Sequence, residues 1–508
     1  MNKQDQNQNS EQTKYGEVTR RVFIKYFAGI VVCIFLSLML FGCGGGSDSS
    51  SNANVPLSAE NLNLIFVASP DLAYHGEGDV DPNTANLTNQ GLQRSLLMAT
   101  YLKDQVLGSK NVTGIYALAP MTHLQTANNY PNMSAIGYIQ HFALLNQHTI
   151  PIDAAGTTYT GNSYPLNVAY AQESVPNGVS VPSEYCPDCT GLDFNNTGGA
   201  NDELVSGIIA ANITGYYVFS APWETISAMM TTLNTQNAYN LNLPTTYKGP
   251  NHVYAISIPW PGNASLVTYN SNLNPPATYP ELSSPVVKTA CTYSQQPYFS
   301  TSRIGGVDGV DIPANINKNQ RVDIIRHAEA HPDPDSGFEN GNFVAAGQWR
   351  ALSLPNVLRD MISPDMVYSI DPAQWFKASS NFSYVRPSLT VLPFAIANNL
   401  PYHLVSSFGI GNPEVAKLAS DFFFTGGKLS NQTVLLAWES TRIKPLINAL
   451  LTSYGGNDNL PLLPPEWPHT DYDTIWTVKL DSQGNLTVHN ALCQGIDSTL
   501  LPDTAPQF

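Results

Sequence analysis

What most limits the fold of this chain is that it carries one series of segments twice. Leu62-Asn63-Leu64-Ile65-Phe66-Val67 reads as a strand, as does Val322-Asp323-Ile324-Ile325. Gly91-Leu92-Gln93-Arg94-Ser95-Leu96 opens a helix, matched by Gly347-Gln348-Trp349-Arg350-Ala351-Leu352. Ile115-Tyr116-Ala117-Leu118-Ala119-Pro120 is mirrored by Val367-Tyr368-Ser369-Ile370-Asp371-Pro372. The stretch from Tyr217 through Trp223-Glu224-Thr225-Ile226 parallels that from Val434 through Ser440-Thr441-Arg442-Ile443. A last pair begins at His252 and Asp473, and each leads into a hairpin with a Gly-Asn turn, Gly262-Asn263 and Gly484-Asn485. Matches in one order predict two α/β domains in tandem. Short Val/Ile/Leu strands alternating with helical segments predict, for each, a mostly parallel sheet flanked by helices. The expected domains are residues 59–273, with an inserted Gly/Pro/Ser/Asn-rich loop at 154–199, and residues 301–508, joined by a Pro/Ser-rich linker at 274–300.

The first 42 residues read as an export signal. Thr19-Arg20-Arg21-Val22-Phe23-Ile24-Lys25 resembles a twin-arginine motif, and the apolar run at 27–41 is shorter than the ~20 residues of a membrane-spanning helix. Leu40-Phe41-Gly42-Cys43 resembles a bacterial lipobox, which implies a lipid on Cys43, a flexible tether over 43–58, and attachment to a cell-envelope membrane. The competing reading, an uncleaved membrane anchor, leaves the Gly/Ser stretch after Cys43 without a use. Cleavage before Cys43 removes five of the 23 Lys and Arg and three of the 39 Asp and Glu, leaving 18 against 36, a net charge of −18. So acidic a surface argues against nucleic acid as a partner, and a phosphorylated ligand would need a local cationic pocket.

Four further cysteines bear on an oxidising compartment. Cys186-Pro187-Asp188-Cys189 is open to three readings: a short-range disulfide, half of a zinc site, or a redox centre. No second ligand pair follows for zinc, and the flanks read as loop, so a disulfide is expected. Cys291 and Cys493 bracket the second domain, and a bond between them would staple it.

The chemistry centres on Arg326-His327-Ala328-Glu329, where a strand stops and a Gly/Pro/Asp-rich segment begins. An imidazole placed there is held by a rigid element and faces loops, and the arginine beside it can hold an anion. This resembles the Arg-His-x-Glu signature of the histidine phosphatase (phosphoglycerate mutase-like) superfamily. The resemblance implies that His327 takes up a phosphoryl group, that Arg326 grips it, and that no cofactor or metal is needed. Arg386-Pro387-Ser388-Leu389-Thr390 has the family's Arg-x-x-x-Thr spacing, which makes Arg386 the second phosphate-binding arginine. The second pocket histidine of the family should stand where Ser440 does. Serine offers a hydrogen bond but neither charge nor a proton that titrates near neutrality. Glu439 is the expected acid for the leaving oxygen, with Glu329 and the loop residue His469 as further candidates.

The first domain departs further. Ala68-Ser69-Pro70-Asp71 stands where Arg-His should, Tyr74-His75-Gly76-Glu77 lies several residues past the strand, and Thr225 is expected at the second histidine's place. The expected function is hydrolysis of a small phosphate monoester by an exported, lipid-anchored protein. The rival is a pseudophosphatase that binds a ligand or partner without turnover. The oligomeric state is left open.

Overall fold

The structure, a computed structural model, describes residues 55–75, 78–151, 158–168, 191–291, 295–302, 313–330, 340–373, 382–405, 413–455, 462–464 and 466–508. The export segment, Cys43, most of the tether, and Cys186 and Cys189 lie outside the described residues. Among those described, no helix is long and apolar enough to cross a membrane.

The apolar run Leu62–Ala68 forms strand β1, buried along its whole length because it lies inside a sheet covered on both faces. With it stand β2 (Gly114–Ala117), β3 (Gly215–Ala221), β4 (His252–Ile258) and β5 (Ser265–Asn270), in the order β2-β3-β1-β4-β5. The second sheet contains β6 (Phe299–Ser302), β7 (Gln320–Arg326), β8 (Met366–Ile370), β9 (Tyr402–Val405), β10 (Thr433–Trp438), β11 (Thr474–Leu480) and β12 (Leu486–Cys493). Its order, β6-β12-β11-β7-β10-β8-β9, contains the first sheet's order as β8-β10-β7-β11-β12. In each sheet the strands from the edge to β1 or β7 run parallel, and an antiparallel hairpin completes the other side. Gly484, at φ +91°, turns the second of these hairpins.

Helices α1 (Asn89–Tyr101), α2 (Ser134–Leu144), α3 (Ala200–Ala211) and α4 (Trp223–Gln236) belong to the first half; α5 (Ala345–Leu358), α6 (Arg386–Ala397), α7 (Pro413–Phe424) and α8 (Ser440–Gly455) belong to the second. Strand side chains alternate between faces, and the alternation sorts them into three cores. Leu64 and Phe66 pack with α3 and α4, whereas Ile324, Leu436 and Trp438 pack with α7 and α8. Ile65, Val67, Ile325 and Ala437 share one core with α1, α2, α5 and α6. The layers are therefore helices, sheet, shared helices, sheet, helices. Hydrogen bonds also join the halves there, Ser163 Oγ to Phe343 O at 3.0 Å and Gln140 Nε2 to Asn342 Oδ1 at 3.2 Å.

The stretch between the halves lies against the second. Tyr279 donates to Leu352 O, Gln295 donates to Asp471, and β6, which spans the expected boundary at residue 300, pairs with β12. Cys291 and Cys493 are joined in a disulfide, their Cα atoms 5.8 Å apart. The inserted loop also has a structural part. Its residues Asn167 and Leu192 bridge Tyr116 on β2 and Leu118 just after it, covering an edge that β9 covers in the second sheet.

Candidate active site

Strand β7 ends at Arg326, and the chain leaves the sheet with His327 N donating to Trp438 O at 3.0 Å. His327 is 2 % exposed, its ring edge-on to Tyr384 (centroids 6.2 Å apart) and tilted to Tyr472 (6.0 Å). Its Nδ1 lies 2.8 Å from Ala328 O. A carbonyl only accepts, so Nδ1 carries the hydrogen and, in the neutral ring, Nε2 has the lone pair.

Each flanking tyrosine carries a guanidinium. Arg326 lies 4.1 Å from the Tyr472 ring and Arg386 lies 5.4 Å from that of Tyr384. Arg326 Nη1 donates to His469 O at 2.8 Å and Asp471 O at 3.1 Å, while its Nε has no hydrogen-bond partner among the described residues. His469 thus contributes its carbonyl, and its side chain is exposed. That loop is itself braced: Asp471 accepts from Thr474 N, Thr474 Oγ1 and Gln295 Nε2.

Arg386 is the first residue of α6. The Arg-x-x-x-Thr spacing now has a physical meaning. Thr390 Oγ1 donates to Arg386 O at 2.7 Å, one turn back, and accepts Ala328 N at 2.8 Å, so one hydroxyl ties the arginine's helix to the loop of His327. Burial pushes the Arg386 guanidinium below its ordinary pKa; Tyr384, Tyr472 and Glu439 oppose this and Arg326 reinforces it. The Tyr384 hydroxyl is pushed far above its usual range, chiefly by burial and then by Glu439, so it stays protonated.

The two candidate carboxylates separate. Glu329 is buried against Arg350 (2.7 Å to Nη2) and accepts Ser498 Oγ at 2.7 Å. Arg350 further reaches Gln494 Oε1 and Ile496 O, so Glu329 pins the His327 loop to the segment after β12. It forms a buried ion pair. Glu439, directly after β10, is 17 % exposed and accepts Arg442 Nε at 2.9 Å. Ser440 begins α8 and is half-buried.

Sequence reasoning missed Tyr384, Tyr472 and Arg442, which two loops and the start of α8 deliver. The one local signal was the i, i+3 pairing of Glu439 with Arg442 at a helix start. In the first half, Ser69 N donates to Ala221 O at 2.9 Å, as His327 N does to Trp438 O, so Ser69 occupies the place of His327. His75 is exposed. Thr225 does not hold the second histidine's place: α4 starts at Trp223 as α8 starts at Ser440, which sets Trp223 against Ser440 and Thr225 against Arg442. An open depression lined by Arg321, Lys479 and Asp481 lies at the other end of β7, remote from His327.

No family model matches the chain, and no curated protein matches it. Similar solved structures include the protein histidine phosphatase SixA complexed with tungstate, 17 % identical, with 34 % of this chain and 97 % of that one covered and a TM-score of 0.22. Another is the Entamoeba histolytica phosphoserine phosphatase in complex with 3-phosphoglyceric acid, 14 % identical, covering 35 % and 100 %, TM-score 0.24. A third is a mycobacterial glucosyl-3-phosphoglycerate phosphatase, 12 % identical, covering 36 % and 99 %, TM-score 0.22.

Proposed function

We propose that this protein is an exported, lipid-anchored phosphatase that hydrolyses a small phosphate monoester through phospho-His327. The observation that supports this most is the Nδ1 contact to Ala328 O, which leaves Nε2 as the nucleophilic nitrogen, with arginines on the two rings beside it. Nε2 attacks phosphorus, the bond to the leaving oxygen breaks, and Glu439 supplies that oxygen's proton. Water then attacks phosphorus, the P–N bond breaks, and the Glu439 carboxylate takes the water's proton as inorganic phosphate leaves. The Nε edge of Arg326 and the Arg386 guanidinium face the negative charge on the phosphoryl oxygens. Export on the twin-arginine signal and a lipid on Cys43 belong to the same proposal and rest on the sequence motifs.

Two observations favour the rival reading of anion binding without turnover. Arg326 Nη1 is already engaged by loop carbonyls, and Ser440 brings no charge. Phosphate release from an aryl phosphate by the purified chain, at acid and neutral pH, separates the two. We expect turnover that vanishes in His327→Ala while the variant still binds inorganic phosphate. Turnover unchanged by that substitution, or none in the parent protein, overturns the enzyme.

A further inference from the structure

The repeat offers an internal control for deciding which charged residues serve the pocket. Two sets of arginines behave differently across the halves.

The first set is kept in both. Arg94 on α1 pairs with Asp79 at 2.5 Å as Arg350 on α5 pairs with Glu329. Thr88 N donates to Asp79 O and Val344 N to Glu329 O, so the two carboxylates hold equivalent places before equivalent helices. A Cβ on Gly91 would meet Asp79 O at 2.2 Å and one on Gly347 would meet Glu329 O at 2.8 Å, so both helices need glycine for the same close approach. A pair kept where there is no nucleophile serves the fold.

The second set is lost as a group. Arg326 faces Ala68 in the repeat, because these are the last residues of β7 and β1. Arg386 faces Ser134, the first residues of α6 and α2, both preceded by a residue in right-handed helical conformation. Arg442 faces Thr225, the third residues of α8 and α4. Where Ser69 replaces His327, all three positions are uncharged. Arg442 therefore sorts with the pocket arginines and not with Arg350.

Its position agrees. Arg442 N donates to Glu439 O at 3.0 Å, which folds the first turn of α8 back over the end of β10, and its side chain is only 11 % exposed. Its partner Glu439 follows Trp438, whose carbonyl holds His327 N. Tyr384, edge-on to His327, lies in the combined field of Glu439, Arg386, Arg442 and Arg326.

We infer that Arg442 is the third cation of the His327 pocket, a phosphate-binding residue that supplies from two positions later the charge Ser440 lacks. The inference deepens the phosphatase reading and rests on it for its kinetic arm only. Its ligand is the phosphoryl group of the substrate, and inorganic phosphate is the probe.

The test compares Arg442→Gln, which keeps a donor for Glu439, Arg442→Lys, Ser440→His, and the double variant Ser440→His/Arg442→Gln. Turnover and phosphate affinity by calorimetry are the readouts, and thermal melting checks that each variant folds. Arg442→Gln is expected to lower kcat by about 10²-fold and to weaken phosphate about tenfold, with Arg442→Lys recovering part of both. Ser440→His should restore about tenfold in the Arg442→Gln background and add far less to the parent, because the charge is already present there. Loss in Arg442→Gln without rescue by either Lys or Ser440→His would mark a structural role and overturn the inference, as would unchanged phosphate affinity. If the parent does not turn over, the phosphatase reading fails while the affinity arm still decides Arg442.

Discussion

At the carboxyl ends of β1 and β7 the chain leaves its sheet in one way and then does two different things. In the second half an imidazole sits between two tyrosines that carry arginines. In the first half the places of His327, Arg386 and Arg442 are held by Ser69, Ser134 and Thr225. The hydroxyls of all three are buried and find no hydrogen-bond partner among the described residues. Trp223, packed with Tyr247 and Tyr254, stands where the second half has Ser440. Strand order, helix starts and the Arg–carboxylate pair survive these changes. The Arg–carboxylate pairs of Arg94 and Arg350 thus recur in both halves, whereas Arg326, Arg386 and Arg442 belong to the second half alone.

The largest expected effect tests that division. Arg94→Met and Arg350→Met each leave a buried carboxylate without its ion, so each should cost about 3–5 kcal/mol in denaturant unfolding. Similar losses in both halves would support a shared structural role. A loss confined to Arg350→Met would tie that pair to the second half alone.

Acid should weaken both halves by a comparable mechanism. Burial holds the His141 imidazole of α2 down at about 4, and burial together with Lys428 holds that of His403 on β9 at about 4. An unfolded histidine titrates near ~6.5. Between these values the unfolded chain binds protons that the native state refuses, so stability is full above the unfolded pKa and falls as pH drops toward 4. For His141, which is fully buried, the loss is on the order of 3 kcal/mol. His141→Leu should flatten the dependence of the melting temperature over that range, and an unchanged slope would remove this residue from the account.

The smallest effects belong to the degenerate pocket. Ser69→Ala and Thr225→Val remove buried hydroxyls that satisfy no partner, so each should leave stability within about 1 kcal/mol or raise it. Turnover should stay at the parent level in both. A marked loss of either would show that the first half still contributes to the chemistry.

Much of the frame was legible because it is written locally. Strands such as Leu62–Ala68 are apolar but for Asn63, Gly91 and Gly347 mark the helix starts, and repetition of the series fixed the unit that is built twice. Arg326, His327 and Arg386 were readable as a spaced motif. Glu329 was not readable as a structural residue, because its partner Arg350 lies 21 positions away. Tyr472 was hidden for the same reason, since it reaches His327 from a loop about 145 residues later in the chain that Asp471 braces.

By itself the sequence determined the repeated α/β order, the place of His327 at a strand end, and the absence of a histidine at Ser440. Only the tertiary structure decided which arginine each carboxylate is paired with, which nitrogen of His327 carries the hydrogen, and which arginines stack on the tyrosines beside it. The reason is physical. Periodicity and motif spacing record how a segment folds against its immediate neighbours, whereas charge and hydrogen-bond roles depend on what distant elements bring within 3 Å or so.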